Sequence, residues 1–169
     1  MKAVVLRLGH RPIRDKRVTT HLSLVARAFG ASGMVMEDLN EGAVEVLRDV
    51  ESRWGGEFFF HEAKWRQCLR NWEGVKVHLS MYGLPLDEVM DEVVALDKDV
   101  LVVVGAGKVP GDLYDLVDYN IAVGSQPHSE ISALAMFLDR LYKGEELRMD
   151  FKGKLRVIPS QKSKKVVRS

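Results

Sequence analysis

Two apolar runs, each ending in a tight polar loop, constrain this chain more than anything else in it. Leu101 to Val104 leads into Gly105-Ala106-Gly107-Lys108-Val109-Pro110, and Tyr119 to Val123 leads into Gly124-Ser125-Gln126-Pro127-His128-Ser129. Short continuous apolar runs bounded by Gly and Pro read as buried strands. In an open α/β sheet, ligands bind beyond the carboxyl ends of the strands, so a small-molecule site is expected here. A Walker A loop needs a different spacing and a hydroxyl for Mg²⁺. A dinucleotide fingerprint needs a third Gly opening a helix, where Pro110 stands instead. What remains is backbone bared by Gly105, Gly107 and Gly124, able to offer N–H and C=O groups to a flat polar ligand such as an adenine. Taken singly, either loop also reads as an ordinary strand-to-helix turn.

The flanking sequence builds a sheet around these two strands. Ala3–Leu6, Gly33–Met36, Phe58–Phe60 and Gly74–Leu79 read as further strands, the first ending in a basic loop and the last in Ser80-Met81-Tyr82-Gly83-Leu84-Pro85. Helices are expected from a cap at Thr19 or Thr20 to Gly30, over Glu41–Arg53 ending at Gly55-Gly56, over Asp87–Leu96 and Asp112–Val117, and from Ser129 to Tyr142. Lys64–Trp72 reads as a short helix or connector with Trp65, Leu69 and Trp72 in the core. This alternation predicts an α/β fold, a mainly parallel sheet with helices on both faces, over residues 1–144. Residues 145–169 break the pattern. Leu147–Phe151, Leu155–Ile158 and Val166-Val167 read as β-segments, giving a C-terminal β-hairpin extension with basic side chains on one face.

Charge is segregated along the chain. Residues 1–20 carry six Lys/Arg against one acid and residues 148–169 carry eight against one, whereas the stretch between holds 11 basic and 22 acidic residues. Basic segments are the usual footprint of a polyanion partner; a solvated basic tail is the plainer reading of the C-terminus alone. Cys68 is the only cysteine of 169 residues, which excludes a disulfide framework or a Cys-based zinc site and fits a reducing compartment. No apolar run approaches the roughly 20 residues that span a bilayer. A cytoplasmic protein without membrane contact is expected.

The spans LRLGHRPIRDKRVTTH, ARAFGA, VKVHLSMYGL, VVVGAGKVP and DYNIAVGSQPHSEISALAMFLDRL resemble the archaeal tRNA cytidine-56 2′-O-methyltransferase family of the SPOUT superfamily, over nearly the whole chain. The resemblance implies a C-terminal trefoil knot, S-adenosylmethionine as cofactor, tRNA as substrate, a homodimer, and methylation of the cytidine-56 ribose in the TΨC loop. It places cofactor binding on Leu79, on Gly105, Ala106, Gly107, Lys108 and Val109, and on Val123, Gly124, Ser125, Gln126, Pro127, His128, Ser129 and Glu130. Many superfamily members carry an Arg five residues before the aromatic residue of the motif-1 FGA-like end. That position is Leu24 here, so the resemblance leaves the reactive Arg to Arg11, Arg14 or Arg17.

An Arg is always protonated, so such a residue holds phosphate or stabilises a developing alkoxide rather than removing a proton. His10, His21 and His128 are the candidate bases. No pair of His or Asp/Glu has metal-ligand spacing, so no metal is expected. A non-catalytic RNA-binding module leaves the paired Gly loops unused; a dinucleotide enzyme lacks its phosphate fingerprint. A related methyltransferase acting on another RNA position is the nearest alternative.

Overall fold

The computed structural model describes residues 1–169. Six strands form one wholly parallel sheet in the order β3-β2-β1-β5-β4-β6: β1 (Ala3–Leu8), β2 (Gly33–Met36), β3 (Phe59–Glu62), β4 (Val75–Pro85), β5 (Val100–Gly105) and β6 (Tyr119–Ala122). The central strands read as unbroken apolar runs because both of their faces are covered. One face, including Val5, Val77, Leu79, Val102 and Val104, lies under α1 (Lys16–Ala28), α4 (Leu86–Ala95) and α6 (Glu130–Tyr142), with α2 (Glu41–Trp54) packed beside α1. The other, including Leu6, Leu8, Leu101 and Val103, is covered by Leu69 of α3 (Trp65–Asn71) and Leu113 of α5 (Leu113–Leu116), with Trp65 and Trp72 half-buried against it. No helix is long and apolar enough to cross a membrane.

Local chemistry sets the helix ends. Asn40 caps α2, its side chain accepting from the Ala43 amide, and Ser129 caps α6, accepting from Ile131 at 3.2 Å. Thr19 and Thr20 are not caps: α1 begins at Lys16, a turn earlier. Its N-cap carboxylate, Asp15, is occupied by the backbone and side chain of Arg11, while the Thr19 hydroxyl accepts from Arg7 of β1 and the Thr20 hydroxyl donates to the Lys16 carbonyl.

Three other expectations are corrected. Ser80–Pro85 is not a simple loop: β4 bulges outward there and re-pairs, so that Leu79 and Leu84 both align with Ile121 of β6. Leu147–Phe151 forms no strand; a 3₁₀ turn occupies Glu145–Arg148, and Lys152 alone bridges to Gly55. The backbones approach so closely there that a Cβ on Gly55 would lie 2.1 Å from the Phe151 carbonyl. The C-terminal hairpin, β7 (Leu155–Ile158) with β8 (Lys165–Arg168), is antiparallel as expected. Its basic side chains do not share a face. Register places Arg156 and Lys165 on one side and Arg168, opposite Leu155, on the other, because paired residues share a face and neighbours alternate.

Candidate functional site

The carboxyl ends of β4, β5 and β6 converge with the start of α6 on a cavity of about 280 Å³. Leu79, Gly105, Ala106, Gly107, Val123, Gln126, Pro127, His128, Ser129 and Glu130 line it. Ser80 and Met81, at the strand end already noted, and Val104 and Ala133, which carry no sequence signal for a site, complete it. Lys108 and Val109 turn into a neighbouring cavity, and Gly124 and Ser125 lie outside both linings.

The lining suits the cofactor implied by the resemblance. Leu79, Val104, Val123 and Ala133 give an apolar floor; Gln126, Ser129 and Glu130 give a polar rim. A Cβ on Gly107 would meet only Arg11, at 3.8 Å, and Gly124 adopts φ +72°, so both loops turn bare backbone outward. A flat adenine with a hydrogen-bonding edge matches floor and backbone, and a carboxylate at the rim matches a cationic sulfonium. The residues present fit S-adenosylmethionine.

His128 clips the second loop in place. Its Nε2–H donates to the Val123 carbonyl. Nδ1 lies 3.0 Å from the Ser129 carbonyl, which can only accept, and 2.9 Å from Ser132 Oγ. Both ring nitrogens face carbonyl oxygens, so the doubly protonated ring satisfies both contacts, and the hydrogen bonds to Val123 and then Ser129 raise the pKa of this imidazole. A doubly protonated ring with both protons engaged is a clip rather than a base.

Of the three candidate arginines, Arg11 touches the site. It pairs with Asp15 in a two-pronged contact, at 2.8 and 3.1 Å, and donates to the Ala106 carbonyl at 3.1 Å. That hydrogen bonding, chiefly, lowers the Asp15 carboxyl to about 2. Arg14 and Arg17 are exposed and contact neither loop.

A fourth arginine carries no sequence signal beyond its charge within a buried strand. Arg7, 1% exposed at the end of β1, donates from Nη2 to Glu130 at 3.2 Å and from Nε to Thr19 Oγ1 at 3.3 Å. Its Nη1 is buried without a partner. Burial lowers the Arg7 pKa against the opposing pull of Glu130. The Thr19 hydroxyl that accepts from Nε also shares a hydrogen bond with Nδ1 of His10, at 2.7 Å. A relay of four side chains thus ties the motif-1 loop to Glu130 at the cavity rim. His10 keeps Nε2 outside this relay, and burial, then Arg7, lowers its pKa.

Residues 54–167 match the family model described as tRNA ribose 2′-O-methyltransferase, aTrm56. A protein of Ignicoccus hospitalis named tRNA (cytidine(56)-2′-O)-methyltransferase is 56% identical, with 99% of this chain and 78% of that protein aligned. The protein of that name from Methanothrix thermoacetophila is 55% identical over 99% of this chain and 98% of its own length. Among solved structures, an RNA 2′-O ribose methyltransferase shares the fold with a TM-score of 0.62 at 11% identity, covering 85% of this chain and 57% of that one. The methyltransferase AviRb of Streptomyces viridochromogenes, solved with the cofactor AdoMet, gives 0.55 at 15% identity with the same coverages. This chain belongs to the tRNA ribose 2′-O-methyltransferase family.

Proposed function

We propose that this protein uses S-adenosylmethionine to methylate the 2′-hydroxyl of cytidine 56 in tRNA. The observation that carries the reading is the convergence of the β4 bulge and two glycine-bearing strand-end loops on one cavity with an apolar floor and a carboxylate rim. When bound there, the cofactor supplies an electrophilic methyl group. Leu79, Gly105–Gly107, Val123 and Gln126–Glu130 hold it, with Gly124 and Ser125 forming the turn between them, and His128 keeps the second loop closed around it. Orientation of this kind contributes up to about 7–11 kcal/mol to such a displacement. Arg11, fixed by Asp15 at the lip of the Gly105–Gly107 loop, holds an RNA phosphate or the developing alkoxide; Arg14 and Arg17 extend the basic surface beside it.

The basic N-terminal loop and C-terminal hairpin bind tRNA phosphates. Residues 1–144 form the methyltransferase domain and 145–169 its RNA-binding extension. The passage of β6 beyond β4, with α6 returning between α1 and α4, supports a C-terminal trefoil knot. A homodimer fits the exposed Met136 on α6. The enzyme acts in the cytoplasm and uses no metal. Incubation with a tRNA transcript and labelled cofactor, then nuclease digestion and mass spectrometry, tests this. The expected product is a single 2′-O-methylcytidine in the TΨC loop; a methylated base, or an unmodified transcript, refutes it.

A further inference from the structure

A second cavity, of about 650 Å³, adjoins the first and shares Leu79, Ser80, Met81, Gly105 and Gly107 with it. Alternation along β4 separates them: Leu79 belongs to the core under α6, whereas His78 faces the side covered by α5. His78 is 2% exposed and lines this second cavity. Asn120 fixes its ring. The Asn120 amide donates to the Tyr114 carbonyl at 3.0 Å, which leaves Oδ1 to accept from Nδ1 of His78 at 2.9 Å. Nδ1 therefore holds the proton, and the neutral ring keeps Nε2 as a lone-pair acceptor with no partner in the chain. Burial, outweighing the Asn120 contact, lowers the pKa of this imidazole and favours that neutral form.

The remaining walls are suited to a nucleotide. The Ser80 and Tyr114 hydroxyls share a hydrogen bond at 2.7 Å beside the imidazole, each retaining capacity for a further polar contact. Tyr82, 79% exposed, presents a ring free to stack, and Lys108 brings a cation. An aromatic platform, a buried acceptor and a cation around one cavity are the elements by which unstacked nucleotides are held.

We propose that this second cavity receives the nucleotide to be methylated, with its base on Tyr82, a ribose hydroxyl donating to Nε2 of His78, and its phosphate beside Lys108. The proposal rests on the reading of the first cavity as the cofactor site. Nucleotide and cofactor then approach from two sides of a wall in which Gly105 and Gly107 carry no side chain.

The test is an NMR titration of the full chain with cytidine 5′-monophosphate and, separately, with S-adenosylhomocysteine, following the His78 imidazole and Tyr82 ring signals. The nucleotide is expected to shift both. Tyr82→Ala, at an exposed position that leaves the core intact, and His78→Gln should each weaken nucleotide binding at least about fivefold, the low end for loss of a stacked base. Affinity for S-adenosylhomocysteine should stay within about twofold. Signals at His78 and Tyr82 unmoved by the nucleotide overturn the proposal. So does displacement of the nucleotide by S-adenosylhomocysteine with shifts at Tyr82, since the cavity then belongs to the cofactor. If S-adenosylhomocysteine fails to bind at all, the cofactor reading falls, and this proposal with it.

Discussion

The Arg7–Glu130 pair predicts an asymmetry between its two partners. The Arg7 side chain is 0% exposed and that of Glu130 is 29% exposed, so the two truncations leave very different charges behind. Glu130→Ala strands a fully buried guanidinium that already has one unpaired nitrogen. Removing one member of a buried pair costs about 3–5 kcal/mol. Arg7→Met strands a carboxylate that reaches water and sits in the first turn of α6, where the helix dipole returns about 0.3–1 kcal/mol. It loses charged hydrogen bonds worth about 1.5–3 kcal/mol but also removes the orphaned Nη1, so a net cost of about 1–3 kcal/mol is expected. The Arg7→Met/Glu130→Ala double variant should be more stable than the sum of the singles predicts, with about 1–3 kcal/mol of coupling. Urea denaturation of all four proteins measures these quantities, and each kcal/mol should move Tm by about 2–4 °C. If Arg7→Met proves the more destabilising, or the two changes simply add, the pair is not the buried, mutually dependent contact described above.

Gly107→Val should abolish cofactor binding, measured calorimetrically, with little change in stability, because its Cβ meets only Arg11, at an ordinary contact distance, and the side chain enters the mouth of the cavity. Gly124→Val should also lose binding, but with loss of stability from strain at φ +72°. The clip at His128 works only while the ring is doubly protonated. Its pKa is raised on folding, so its contribution is complete below the ordinary histidine value of about 6.5 and disappears as pH rises through the raised one. Cofactor affinity should fall across that window in the native protein, and His128→Ala should flatten the profile. Asp15 has the opposite sign: its stabilisation is present above the ordinary 3.8 and lost as pH falls toward about 2. In Arg11→Ala, carbon-detected NMR should find its titration moved back toward 3.8. Replacing Lys162, Lys164, Lys165 and Arg168 together by Ala should weaken tRNA binding and reduce the salt slope by about 0.9 for each lost phosphate contact, with methyl transfer at saturating tRNA retained.

How far the site was legible in the sequence follows from where each partner lies along the chain. The Gly105–Val109 and Val123–Glu130 loops can be read directly, because parallel strands buried on both faces are unbroken apolar runs whose ends Gly and Pro mark. The helix from Ser129 shows itself equally well, since its cap and its periodicity are local. Arg7 and His78 could not be assigned that way. Each is one polar residue in an apolar strand, and what gives it meaning, Glu130 for Arg7 and Asn120 for His78, lies 123 and 42 residues away.

The same physics explains two of the local misreadings. A threonine before an apolar repeat looks like a helix cap, but the helix begins a turn earlier at Lys16, with Asp15 at the N-cap position held by Arg11. Leu147–Phe151 has the composition of a strand, but the approach of Phe151 and Gly153 to Gly55 turns the chain past α2 and leaves it no sheet edge to join. The resemblance could not supply the missing arginine either, because Leu24 breaks its pattern. The structure offers two arginines, one at each of the two loops: Arg11, half-exposed and bound to the Ala106 carbonyl, and Arg7, buried and bound to Glu130. Only the first can reach RNA. A fully buried guanidinium can influence the reaction only through the carboxylate it holds, so Arg11→Ala should lower turnover while leaving cofactor affinity intact, and Arg7→Met should first alter cofactor affinity.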